Sequence, residues 1–207
     1  MHILLTDILS CPRCGPAFGL ILLADRIEAR RVLAGTLGCA NCRSKYPIQD
    51  GVADLRAPDS TAGARGRGDA PSAEAALRWA ALLGVTEGPG FLLVVGPAAA
   101  LAGEIASLIE HIEVIAGTNV PDTGRPAAGV SRIAIGGRLP FYSGHVHGVA
   151  LSGGAADALL EEGVRVLRPL GRLVLEPAPP DAEERIRRAG LHILAHQDTT
   201  LVAARTA

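Results

Sequence analysis

The chain has 207 residues, room for one large domain or two small ones, and 48% of them are hydrophobic against 20% charged, so it can bury a real core and is not disordered by composition. Aromatics are only 3%, which leaves Ala, Leu, Val and Ile to build that core. Twenty Lys and Arg against 21 Asp and Glu give a net charge of -1, which excludes a strongly basic protein that coats nucleic acid by charge alone.

The opening run, Met1 to Asp7, lacks a basic n-region, and Asp7 interrupts its short apolar stretch. No segment reaches the roughly 18 unbroken apolar residues of a membrane span. The expectation is a cytoplasmic protein with no membrane partner. A reducing compartment then disfavours disulfides, and the cysteines need another account.

They are Cys11, Cys14, Cys39 and Cys42, two C-x-x-C pairs. Each pair lets two thiolates converge on one metal from a tight turn, and two pairs complete the four-sulfur shell of a structural zinc. A redox dithiol needs only one pair and a thioredoxin-like context. A disulfide framework needs an oxidising compartment. Zinc accounts best for the pattern, and as structural metal, since no ligand position stays open for water. Arg13, Arg43 and Lys45 offset part of the tetrathiolate charge.

Between the pairs, Leu20–Leu23 and Val32–Gly38 read as strands joined by a charged turn, a ribbon. Asp50-Gly51 is a hairpin-type turn between apolar residues. An opening Ile8-Leu9-Ser10-Cys11-Pro12-Arg13-Cys14-Gly15 and a later Cys39-Ala40-Asn41-Cys42, followed in register by Tyr46-Pro47-Ile48 and Asp50-Gly51-Val52, resemble the small zinc-ribbon proteins that bind and activate translation-machinery methyltransferases. The resemblance spans residues 3 to 55. It implies a ribbon that is structural or recognises substrate and partner, and that performs no chemistry. The same ribbon is found fused ahead of some methyltransferases, certain rRNA guanine methyltransferases among them.

Residues 57–73 are Gly-, Ala-, Pro- and Ser-rich with balanced charge, and read as a flexible linker. Its Arg65-Gly66-Arg67-Gly68 run is read as solvated tether in preference to an RNA contact. The domains expected are therefore a zinc ribbon over 1–56, the linker, and a second domain over 74–207.

In that second domain, Ser72 opens a helix running to about Leu83. Phe91–Val95 is an all-apolar strand of the kind buried on both faces. A helical run to about Ile109 follows, then strands at Glu113–Ala116, Ser131–Ile135 and His147–Ser152. Ala155–Leu167 reads as one helix, Gly171–Glu176 as a fifth strand and Asp181–Ala189 as a helix. Leu191–His196 and Thr199–Ala204 are close enough to pair as a hairpin. Alternating strands and helices imply an α/β, Rossmann-like domain with a mostly parallel sheet and a C-terminal antiparallel hairpin.

Arg138-Leu139-Pro140-Phe141 and the run Glu161-Glu162-Gly163-Val164-Arg165-Val166-Leu167-Arg168-Pro169-Leu170-Gly171-Arg172-Leu173-Val174-Leu175 are similar to class I S-adenosylmethionine-dependent methyltransferases. The resemblance places Gly96, Ala98, Asn119 and Leu139 at the cofactor. Each of its cofactor features has decayed. The first-strand loop of that family carries an acid and three glycines. Here Val94 takes the acid position, Gly96 survives, Ala98 and Ala100 replace the other glycines, and Pro97 lacks a backbone donor. Asn119 stands where an acid grips the ribose hydroxyls, and His147 where a further acid is expected. No catalytic tetrad follows the fourth strand, where Ser152-Gly153-Gly154-Ala155 sits. His145 and His147 share a strand face but lack an evident third ligand, and are read as strand-edge residues.

The preferred function is a degenerate methyltransferase-fold protein acting as a non-catalytic partner or scaffold. The alternatives are an active but divergent methyltransferase on RNA or a translation factor, and a ribbon that activates a separate methyltransferase partner.

Overall fold

The computed structural model describes residues 1–56, 72–121 and 127–206. The expected linker therefore lies almost wholly outside the described residues, its Arg-Gly run included. A 3-10 turn at Ile3–Asp7 precedes β1 (Ser10–Cys11) and β2 (Gly15–Gly19), which pair as a two-stranded sheet. The ribbon then runs through β3 (Ile21–Glu28), β4 (Arg31–Gly38), β5 (Lys45–Gln49) and β6 (Val52–Leu55). These four form an antiparallel meander.

Helix α1 (Ala73–Leu83) starts at Ser72, whose side chain accepts the Ala75 amide at 3.1 Å, and stops at Gly84 in the left-handed region (φ 64°). Ala76, Trp79, Ala80 and Leu83, spaced i, i+3, i+4, i+7, are its buried stripe. Then come β7 (Glu87–Val95), a 3-10 turn at Pro97–Leu101, α2 (Ala102–Leu108), β8 (Glu110–Thr118), β9 (Val130–Ile135) and β10 (Val146–Ser152). The chain closes with α3 (Ala155–Ala158), α4 (Leu160–Val166), β11 (Leu167–Glu176), α5 (Ala182–Arg188), β12 (Leu191–Gln197) and β13 (Thr200–Arg205).

Two predicted elements differ. The helix expected over 155–167 is split at Leu159, whose φ of -119° is not helical. The fifth strand begins at Leu167, four residues early, and carries the left-handed Leu170 (φ 62°).

One sheet of 11 strands contains both ribbon and Rossmann-like parts, in the order β12-β13-β11-β10-β7-β8-β9-β6-β5-β4-β3. The central six, β11 to β6, run parallel, and antiparallel strands flank them on both sides. The sixth parallel strand is β6, donated by the ribbon: Val52, Ala53, Asp54 and Leu55 stand opposite Arg132, Ile133, Ala134 and Ile135 of β9. Strand β7 shows why its sequence is apolar throughout. Leu93 and Val95 pack into the core on one face, which also holds Leu5, Leu9, Tyr46 and Leu55 of the ribbon. Leu92 and Val94 pack on the other face, against α1 and α2.

Two polar seams lock the ribbon in place. Arg31 of β4 pairs with Glu113 of β8, Nη2 donating to Oε2 at 2.9 Å, and also donates to the Val130 carbonyl at 3.0 Å. Ser131 donates to the same Glu113 carboxylate at 2.6 Å and accepts the His2 amide at 2.8 Å. Farther along, the segment 138–142 lies against residues 8–10. The Ser10 amide donates to the Pro140 carbonyl at 2.9 Å, and the Tyr142 amide to the Ile8 carbonyl at 3.0 Å. Arg165 clamps that segment from the α4 side, donating to the carbonyls of Leu139 (2.8 Å) and Phe141 (2.7 Å).

Candidate metal knuckle and strand-tip cleft

The four cysteine sulfurs converge within 4.8 Å of one another, so the four residues are positioned to bind a metal. Cys11 and Cys42 Sγ are 3.7 Å apart, and Cys39 and Cys14 Sγ 3.8 Å. A tetrahedron with metal–sulfur bonds of about 2.3 Å has edges of about 3.8 Å, which is the spacing of zinc thiolates. The surrounding polar groups also suit thiolates. Cys11 Sγ receives the Cys14 amide at 3.4 Å, Cys14 Sγ the Asn41 side-chain amide at 3.2 Å, and the Ser44 hydroxyl lies 3.3 Å from Cys42. Tyr46, fully buried, sets its hydroxyl 3.5 Å from Cys11 Sγ, and burial followed by that contact pushes its pKa up. Gly15 closes the first knuckle at φ 91°, a left-handed backbone that glycine adopts without strain, with the Arg138 guanidinium beside it.

A second centre sits at the carboxyl ends of the parallel strands. The chain leaves β7 to one side for β8 and returns on the other as β10, which creates the switch point where α/β proteins place ligands. A cleft of about 560 Å³ opens there. Its walls are the turn after β7 (Val95, Gly96, Pro97, Ala99, Ala100), the end of β8 (Ala116, Thr118, Asn119, Val120), Arg132 and Ile135–Gly137 on and after β9, and Ser152 to Leu159 after β10.

Gly96 and Asn119, two of the four residues expected at the cofactor, line this cleft together. Ala98 and Leu139 do not. Ala98 is buried beneath the turn, and Leu139 sits in the core with its amide donating to Glu162 Oε2 at 2.9 Å. Burial acts to raise the Glu162 carboxyl, but the Arg165 hydrogen bonds and charge outweigh it and hold the pKa below the ordinary range. His147 is remote, its Nδ1 facing the Phe91 amide at 3.4 Å, and burial pushes its pKa down, with Arg168 adding to the effect.

Ser152 is not among the residues the resemblance places at the cofactor, yet it organises the turn. Its hydroxyl donates to the Val95 carbonyl at 2.8 Å and accepts the Ala98 amide at 2.9 Å. The Gly96 amide donates to the Gly117 carbonyl and the Ala99 amide to Gly96. Pro97 has no N–H. Every amide from 96 to 99 is therefore committed internally or missing. A Cβ on Gly96 would collide with the Ser152 carbonyl, and its φ of 87° is a second reason for glycine. Thr118 likewise turns its hydroxyl to the Val120 carbonyl, at 2.5 Å. Among the described residues, the lining includes one cation, Arg132, and no Asp or Glu. Arg132 and Asn119 are each already engaged by the protein. Only the pairwise placement of Ser152 across from Gly96 reveals its role, and sequence spacing carries no such signal.

This is an α/β protein of methyltransferase fold with a metal-binding ribbon built into its sheet. The sequence profile of the Trm112p-like protein family matches residues 2–51, the ribbon itself. No curated protein matches the chain. Among solved structures, the [4+2]-cyclase SpnF superimposes with a TM-score of 0.55 at 14% identity, covering 70% of this chain and 88% of its own. Precorrin-6y C5,15-methyltransferase from Geobacter metallireducens does so with a TM-score of 0.50 at 14% identity, covering 65% and 88%. These likenesses establish the fold.

Proposed function

We propose that this chain is a methyltransferase-fold protein that does not transfer methyl groups, and that its ribbon, held by a structural zinc, serves as a fixed flank of its own sheet. The carrying observation is that, among the described residues, the lining of the cleft holds no carboxylate. In the fold family the resemblance points to, acids grip the ribose and stand beside the cofactor. A missing charge-assisted hydrogen bond costs about 1.5–3 kcal/mol, so two or three such losses cost several orders of magnitude in affinity. The turn after β7 does not compensate, because Ser152, Gly117 and Gly96 already take its amides. Gly96 and Asn119 are the positions nearest to a retained cofactor contact; Ala98 and Leu139 serve packing.

Zinc, when bound, supplies no reaction step. It ties together two turns 24 residues apart in the chain, and Cys11, Cys14, Cys39 and Cys42 hold it. The reading places the protein in a reducing, cytoplasmic setting that keeps these thiols available. Among the described residues no helix is long and apolar enough to cross a membrane.

The ribbon acts within its own chain. Strand β6 is paired on both sides, by β5 and by β9, so its edge is not free for a separate methyltransferase. A separate methyltransferase could add a strand to β6 only by breaking those pairings. The second reading, a divergent S-adenosylmethionine-dependent methyltransferase acting on RNA or a translation factor, draws on the unfilled volume of the cleft.

Calorimetry with S-adenosylmethionine and S-adenosylhomocysteine at millimolar concentration, alongside a labelled methyl-transfer assay on RNA and on ribosomal extract, tests the choice. No heat of binding and no transfer is expected. Saturable binding with transfer overturns the reading in favour of the second.

A further inference from the structure

Resting on that reading of the cleft, we propose that it binds an uncharged, mainly apolar small molecule of up to about nucleoside size. A volume of about 560 Å³ falls within the range of small-ligand sites. Val95, Pro97, Val120, Ile135 and Leu159 give it apolar walls.

Charge of either sign is poorly served there. A cation entering the cleft sheds water and meets no carboxylate among the described residues. An anion needs free amides or a free cation. The amides of Gly96, Ala98 and Ala99 are committed, and Arg132 already has a partner. The polar side chains that remain are turned inward or occupied: Ser152 on the backbone of Val95 and Ala98, Thr118 on Val120, and Asn119 by a contact of its own.

The glycines give the positive argument. Gly96 is demanded by the fold, through Ser152 and its φ. Gly137 and Gly154 are not. Both line the cleft, neither has a left-handed φ, and a Cβ on either meets no atom within 4 Å. Their missing side chains widen the cleft without answering any packing or backbone demand of the protein.

The test uses the full chain with zinc bound and the neutral dye Nile red as probe. Fluorescence titration is expected to show saturable binding. Methylthioadenosine, the neutral thioether that lacks the charged amino-acid arm, is expected to displace the dye at concentrations at least tenfold below those S-adenosylmethionine needs. Gly137→Leu fills open space and is expected to leave the melting temperature unchanged while weakening dye binding at least tenfold. Gly154→Leu provides a second plug with the same expectation, should either variant melt early. Unchanged dye binding in the plugged variants overturns the inference, as does displacement by S-adenosylmethionine at or below the methylthioadenosine concentration. The two levels separate cleanly. Methyl transfer by the wild-type chain defeats the reading beneath while dye binding persists. Failure of the plugs to block the dye defeats the inference and leaves that reading standing.

Discussion

The knuckle and the cleft differ in what one sheet holds out to a ligand. At the knuckle all four sulfurs lie within 4.8 Å of one another, two of their separations at 3.7 and 3.8 Å, and Tyr46, Asn41 and Ser44 attend them. At the cleft the backbone has the turn of the fold, down to the left-handed Gly96, but among the described residues the lining holds no acid. A metal site fails when one ligand is lost, because the remaining thiolates cannot complete the shell. A cleft can lose its polar grips one by one while its walls go on packing the core. Retention of shape is therefore weak evidence for retention of chemistry.

The largest effect expected is that of the metal. Stripping it with a strong chelator, or making Cys39→Ser at a buried ligand, is predicted to cost several kcal/mol, since structural zinc contributes directly to folding. For a chain of this size that is a fall of about 10 °C in melting temperature. Because residues 8–10 hold the segment 138–142, hydrogen exchange should rise at 138–142 as well as in the ribbon. A melt indifferent to chelator, with metal removal confirmed by elemental analysis, would show the knuckle to be ornamental and dissolve the contrast.

Next is the seam between Arg31 and Glu113. Arg31→Met leaves a Glu113 carboxylate whose side chain is only 11% exposed without its cation. A loss of about 2–4 kcal/mol is expected in urea melts. The double variant with Glu113→Met should recover part of it, since removing both charges ends the desolvation penalty. Additive losses in that cycle would mean the two residues act independently and that the ribbon is not welded there.

The sequence disclosed these two regions unequally, for physical reasons. Ligand spacing in the knuckle is local, so Cys11, Cys14, Cys39 and Cys42 read directly off the chain. The apolar run of β7 and the hairpin of β12 and β13 were legible for the same reason: each pattern lives within a few residues. The union of ribbon and core was not. It depends on β6 pairing with β9 and on Arg31 meeting Glu113, which are 82 positions apart. The split of the helix at Leu159 was also hidden, because Leu159, Leu160 and Val164 are all buried and suit either one helix or two. At the cleft, Val94, Ala98 and Asn119 were readable as departures from the pattern the resemblance implies. The committed amides and Ser152 were not, because hydrogen-bond partners across a turn leave no periodic trace.

Gly96→Ala sharpens the distinction between shape and chemistry. It forces a side chain against the Ser152 carbonyl at a left-handed φ, and about 2 kcal/mol of stability should be lost. Gly137→Ala, in open space, should be neutral within about 0.5 kcal/mol. Equal behaviour of the two in denaturant melts would remove the argument that Gly96 persists for packing.

Acid should loosen the seam beside the knuckle by a smaller amount. The folded-state pKa of Glu162 is lowered, so its contribution is full above its unfolded pKa of about 4.3 and is lost as pH falls through the folded value. Glu162→Gln should flatten that part of the stability profile below about pH 4 and cost about 1 kcal/mol at neutral pH. A variant profile parallel to the wild type through that window would mean the clamp on Leu139 and Arg165 carries no linkage.

The smallest effect is the most direct on the cleft. Asn119→Asp restores a carboxylate to the end of β8, within the cleft wall. If only the missing charges separate this chain from a cofactor-binding one, that single change gains about 1 kcal/mol, or about fivefold in S-adenosylmethionine affinity, since a hydrogen bond to a charged group exceeds a neutral one by about that much. Displacement of Nile red by S-adenosylmethionine reads that gain, which stays small because Val94 and the closed turn at Ser152 still stand. Adding Val94→Asp tests the limit of the idea. Val94 is wholly buried against α1 and α2, so an acid there is desolvated unless the turn rearranges. Tightening by Asn119→Asp together with destabilisation by Val94→Asp would mean that the β8 end lost only its charge, whereas the core behind the β7 tip has closed over the place where an acid could stand. Equal gains from both would mean the fold kept room for chemistry on each strand, and that the cleft differs from the knuckle in composition alone.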